Sequence, residues 1–143
     1  MYANTTLNHL SKLTVLNNKL LRILQNKSVK THNIELYRTY STLPIHLLYN
    51  YQLLVFIHKY VHQRAKLPAV FSTYLEENKL VHHDNTRQKD DFHSNVVQSE
   101  MGKRAVKYKG SKLWNNLPTE LKELQSLRSF KYKLRSDLLQ SLL

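Results

Sequence analysis

A chain of 143 residues with 22 Lys and Arg against 10 Asp and Glu carries a formal charge of +12. The length suits one domain with a core of its own, and two glycines and three prolines are too few for the tight turns of an all-β sandwich. The absence of cysteine excludes a disulfide scaffold, a cysteine-ligated zinc site and a thiol nucleophile.

In chain order, Leu10, Leu13, Leu16, Leu20 and Leu24 recur every three or four residues. This predicts a helix over Thr5–Ser28, capped by Asn4, Thr5 or Thr6, with its leucine stripe packed on the core. Three turns of stripe are too few to claim a coiled-coil seam with another chain. A short helix is expected over Thr31–Tyr40. Pro44 then opens a helix to about Gln63, since a proline in a first turn gives up an N–H that has no helical partner there. Its middle, Leu47 to Val61, is apolar nearly all round, the mark of a buried element. Leu67-Pro68 breaks it, and Ala69–Glu77 adds one or two turns. From Asn78 to Ser99 the sequence is polar and aperiodic and reads as a linker. Ala105–Gly110 alternates loosely, which points to a short strand or extended arm. Ser111–Asn115 is a turn of helix, Pro118 starts a helix to about Leu124, and Ser126 caps a last one to about Leu142. Leu127, Phe130, Leu134 and Leu138 share a face of that last helix.

The expected fold is therefore mainly α: a helical bundle around a buried central helix, with a short extended segment before two C-terminal helices. Three parts are expected, a bundle over 1–77, an acidic linker over 78–99 and a basic end over 100–143. Charge follows a related division: +5 over 1–33, +3 over 34–75, −3 over 76–100 and +7 over 101–143. The longest apolar run, Leu53 to Ile57, is far below the roughly 18 residues that span a bilayer, and the first residues lack a secretory signal's charged start and apolar block. A soluble intracellular chain without a membrane partner is the expectation.

No motif organises a catalytic centre. Gly102 and Gly110 are the only glycines, so neither a nucleophile elbow nor a phosphate-cradling loop can be written. Asp90-Asp91 is a carboxylate pair, a type that can hold metal ions in polymerases, but it sits in the polar stretch and reads as solvated charge. His58 and His62 have the i, i+4 spacing of helical metal ligands; the acid expected between them is missing, Lys59 lies beside them, and there is no third ligand. His82-His83-Asp84 reads as a solvated loop. No cofactor or metal is implied. Trp114 reads as a core or docking residue.

The basic end carries the binding signal. Lys103, Arg104, Lys107, Lys109 and Lys112 cluster around Tyr108, and Arg128, Lys131 and Arg135 project along one flank of the last helix's apolar stripe. Cations interleaved with an aromatic suit a nucleic-acid strand: the cations meet phosphates and the ring stacks on a base. The bland alternative is a solvated helix face that serves solubility.

The run from Gly102-Lys103-Arg104 through Tyr108-Lys109-Gly110 to Leu113-Trp114-Asn115-Asn116-Leu117-Pro118, followed by Ser126-Leu127-Arg128-Ser129-Phe130-Lys131 and Leu134, resembles the C-terminal region of the reverse-transcriptase polyprotein of non-LTR (LINE-type, jockey-like) retrotransposons. Leu43-Pro44-Ile45, Tyr49, Tyr51, Leu53-Leu54, Phe56-Ile57, Lys59, Leu67-Pro68, Phe71 and Thr86-Arg87 are similar to the region after the polymerase thumb. The resemblance spans nearly the whole chain. It implies a piece of an RNA-directed DNA polymerase that copies its RNA onto a nicked genomic target. The palm with its Tyr/Phe-x-Asp-Asp motif and the endonuclease are absent from the sequence, so no catalytic residue carries over. The expected role is non-catalytic: RNA or DNA held by the phosphate backbone, the rest of the polyprotein as a further partner, and a nuclear or cytoplasmic location following the parent protein. Two other readings stay open. One is a helical interaction module using Trp114, Leu117, Phe130 and Leu134; the other is a decayed element copy with no cellular role.

Overall fold

The computed structural model describes residues 7–81, 89–94 and 96–142. The chain is mainly helical, with eight α-helices and no strand among the described residues. They are α1 (Leu7–Leu24), α2 (Asn33–Thr39), α3 (Ile45–His62), α4 (Asn78–Val81), α5 (Glu100–Arg104), α6 (Val106–Asn115), α7 (Thr119–Lys122) and α8 (Leu127–Gln140), with 3-10 turns at Arg64–Lys66 and Ala69–Phe71. No helix among the described residues is long and apolar enough to cross a membrane. Contacts divide the chain into two compact units, Met1–Tyr51 with Tyr132–Leu143, and Gln52–Lys131. The three parts expected above rest on sequence pattern, whereas these units follow contacts.

In the first unit α1 and α2 form a helical hairpin around Leu21, Leu36 and Tyr37. Both helices end the same way. Lys27 N donates to Arg22 O at 2.9 Å and Asn26 N to Ile23 O at 3.1 Å, with Asn26 in the left-handed region at φ 50°. Thr42 N donates to Tyr37 O at 2.9 Å and Ser41 N to Arg38 O at 3.0 Å, with Ser41 at φ 48°. The reversal satisfies carbonyls that a helix end otherwise leaves orphaned. Buried Asn18 accepts from the Tyr37 hydroxyl at 2.5 Å, and Asn17 donates to the same oxygen at 3.1 Å. The leucine stripe does not pack as expected. Leu10 and Leu21 are buried, whereas Leu13, Leu16, Leu20 and Leu24 are exposed. The periodicity located the helix, but Leu10, Asn18 and Leu21 form its buried side.

In the second unit Leu53, Leu54, Val55, Ile57, His58 and Tyr60 of α3 are all buried. The Tyr60 hydroxyl donates to Leu75 O at 2.9 Å and accepts from Arg64 Nη2 at 2.7 Å, tying the turns that follow α3 back onto it. The stretch read as a linker makes backbone contacts where it is described. Glu77 and Phe92 form an isolated antiparallel bridge, His93 N donates to Glu76 O at 2.7 Å, Asn78 N to Asp91 O at 2.9 Å, and Phe92 is buried. The extended arm expected over Ala105–Gly110 is corrected. Residues 106–115 are one helix, α6, because Gly110 and Trp114 at i and i+4, with Ser111, give it a buried face. Pro118 and Ser126 stand before α7 and α8 as expected, and Ser129 N reaches Ser126 Oγ at 3.4 Å.

Candidate nucleic-acid interface

Trp114 and Phe130 of the motif-like run lie in the interior of the second unit. Trp114 is buried, with its ring 6.4 Å from His58, 6.5 Å from Phe92 and 6.0 Å from Phe130 by centroid. Phe130 is fully buried and stacks on the His58 ring at 4.2 Å. Asn115 bonds to the Phe92 backbone through both ends of its amide, and Leu121 in α7 is buried. Trp114 and Phe130 are therefore packed side chains rather than surface a partner could reach; Leu134, in the first unit, is also buried, and Leu117 is half-buried.

The two histidines spaced for a metal serve another end. His58 Nε2 bonds to Leu124 O at 2.5 Å and His62 Nε2 to Lys122 O at 2.9 Å, so the pair occupies carbonyls at the end of α7. Burial pushes the His58 pKa down; the Leu124 carbonyl acts in the opposite sense and nearby His62 adds to the lowering. Among the described residues no group of three His, Cys, Asp or Glu could hold a metal ion. His82-His83-Asp84 and Thr86-Arg87 lie outside the described residues. Asp91, read as solvated charge, instead pairs with Lys122 at 3.0 Å, both side chains less than a quarter exposed. Lys122 also donates to Asn115 O at 2.9 Å.

The cations proposed for phosphate contact differ in their surroundings. Lys103 and Lys107 are engaged locally. Lys103 lies 2.7 Å from Glu100, a hydrogen-bonded pair that raises the Lys103 pKa and lowers that of Glu100. Lys107 lies 3.0 Å from Glu76, whose carboxyl is held below its usual range by that hydrogen bond. Tyr108, Lys109 and Lys112 lie on the side of α6 away from its buried face. At about 100° per residue they fall within an arc of about 100°, with Lys112 exposed and the other two half-buried. Burial lowers the Lys109 pKa. On α8, Arg128 is exposed and Lys131 half-buried, both in the second unit. Arg135 belongs to the first unit, where its guanidinium lies over the Tyr51 ring at 5.7 Å. Arg104 closes α5 half-buried.

In the sequence Asn115 stands out only as a member of the motif-like run, and Lys122 not at all. Both act on backbone atoms distant in sequence, and no local pattern marks such contacts. No protein-family model, curated protein or solved structure matches the chain.

Proposed function

We propose that the chain is a non-catalytic C-terminal piece of a non-LTR retrotransposon reverse transcriptase, and that it assists binding of RNA or DNA during target-primed reverse transcription. The resemblance supplies the family, and the observation that carries the binding role is the outer side of α6, which gathers Tyr108, Lys109 and Lys112. In this reading Lys109, Lys112 and Arg128 meet phosphates and Tyr108 stacks on a base. Lys103 and Lys107 each release a carboxylate partner on binding. α3 supplies buried side chains to both units and is the helix around which this reading builds the bundle.

A salt titration tests it. Three or four phosphate contacts give a log–log slope of about −2 to −3 on a single-stranded oligonucleotide. Lys112→Gln combined with Arg128→Gln should bring the slope nearer zero by about 1.4. A flat salt dependence, or no binding at low salt, would sink the proposal. Extension of a primed RNA template by the purified chain would overturn its non-catalytic character.

A further inference from the structure

The outer face of α1 is an apolar stripe that, among the described residues, nothing in the first unit covers. Leu13, Leu16, Leu20, Ile23 and Leu24 are 43, 62, 54, 77 and 60% exposed. Positions 13, 16, 20 and 23 alternate steps of three and four, the spacing of a seam that meets another helix. Scattered exposed leucines are ordinary, but five on one arc of a single helix present on the order of several hundred Å² of apolar area, the size that marks an interaction surface. Ile45, at the start of α3 in the same unit, lines a shallow groove with Leu13, Leu16, Asn17 and Leu20, the kind of surface into which an amphipathic helix lays its apolar face.

Charge decides the occupant. Lys12 and Lys19 lie along the edge of the stripe opposite Asn17, and α1 contains no acidic residue; the first in the chain is Glu35. Among the described residues neither lysine has an ion-pair partner. A second copy of α1 would set these lysines against each other in an antiparallel pair, or against Asn17 and Leu24 in a parallel one, and would neutralise neither. Nucleic acid suits the lysines but not the aliphatic side chains beside them, which offer no ring for a base to stack on. We infer that the outer face of α1 docks an amphipathic helix of a partner protein whose own apolar stripe is bordered by carboxylates. The apolar stripe supplies the contact area, and Lys12 and Lys19 select the partner and fix its orientation.

Two labelled three-heptad peptides test this. Both carry Leu at the seam positions; one carries Glu and the other Lys at the flanking positions. Anisotropy titrations with the full chain should show binding of the Glu peptide and about tenfold weaker binding of the Lys peptide, a difference of about 1.4 kcal/mol. The preference should reverse in the chain carrying Lys12→Glu and Lys19→Glu. Leu16→Asp, at an exposed position, should lose the Glu peptide while keeping the parent's helical circular dichroism and melting temperature. Equal affinity for the two peptides, no binding of either by the folded chain, or an unchanged preference after the charge swap overturns the inference. A concentration-dependent dimer that Leu16→Asp abolishes overturns it too, because the face then belongs to a second copy.

Discussion

Asn115 clasps the backbone of Phe92 from both sides: Phe92 N donates to Asn115 Oδ1 at 2.9 Å, and Asn115 Nδ2 donates to Phe92 O at 2.8 Å. One amide side chain thus replaces a strand partner for a residue whose ring is buried beside Trp114 and Tyr60. Truncation leaves a donor and an acceptor without protein partners, and an unmade bond costs more than a made one contributes. Asn115→Ala should lower stability by about 2–4 kcal/mol in urea unfolding. Asn115→Asp should fall between Ala and the parent, because its carboxylate still accepts from Phe92 N but cannot donate to Phe92 O. Parent-like unfolding of Asn115→Ala would show that the clasp contributes nothing.

Ser41 holds a left-handed backbone, φ 48°, to reverse the chain after α2. A side chain at this position crowds the carbonyl, and glycine removes the crowding at some entropic cost in the unfolded chain. Ser41→Gly should therefore stabilise the chain by up to about 1 kcal/mol, visible as a higher melting temperature. Asn26→Gly at the end of α1 should gain less, because asparagine tolerates this conformation better than serine. A lower melting temperature for Ser41→Gly would contradict the account.

At Gly110 the backbone of α6 packs closely against α3. A Cβ built there would come within 2.6 Å of Ile57 Cδ1 and 3.5 Å of Leu53 Cδ1, and Ile57 is fully buried. Alanine would gain about 1 kcal/mol of helix propensity and lose a similar amount in moving the Ile57 methyl, so Gly110→Ala should be nearly neutral. Gly110→Leu has no space to enter and should destabilise by about 1–3 kcal/mol or more in denaturant unfolding. A Leu variant as stable as the parent would mean that the two helices do not pack through this position.

The same glycine explains why α6 was hard to read. Its buried side runs through Gly110, Ser111 and Trp114, and a stripe two of whose three members are glycine and serine carries almost no hydrophobic period. The alternation of Val106, Tyr108 and Gly110 with lysines then imitates a strand. α3 and α8 were legible because leucines and aromatics mark their buried positions directly. In α1 the period was legible but the face was not: buried Asn18, held by Tyr37, stands where the pattern places a polar surface residue. Phe92 was missed because one aromatic in a polar run makes no pattern, and its partners lie far along the chain in Glu77 and Asn115. In the candidate interface the cations were legible by type. Glu76 and Glu100, which engage two of them, became visible only in the structure.

His58 makes the stability of the second unit depend on pH. Its Nε2 faces Leu124 O, so the neutral ring is the tautomer that donates there, while the buried Nδ1 has no hydrogen-bond partner. Protonation would put a donor at Nδ1 with nothing to receive it, beside the stacked Phe130 ring and 4.6 Å from the His62 ring by centroid. Burial accordingly lowers the pKa of His58 in the fold. The unfolded chain then binds the proton at higher pH than the folded chain does, so stability rises with pH between the lowered folded value and the unfolded value of about 6.5. Above that range the contribution is fully present, and it is lost as pH falls through about 6.5 toward the folded value. Urea midpoints at pH 7.5 and 5.5 should fall with acid more steeply in the parent than in His58→Gln, which retains a donor for Leu124 O but does not titrate. Comparing the two chains cancels the histidines they share, so an identical acid-induced fall in both would place the pH dependence on those residues rather than on His58.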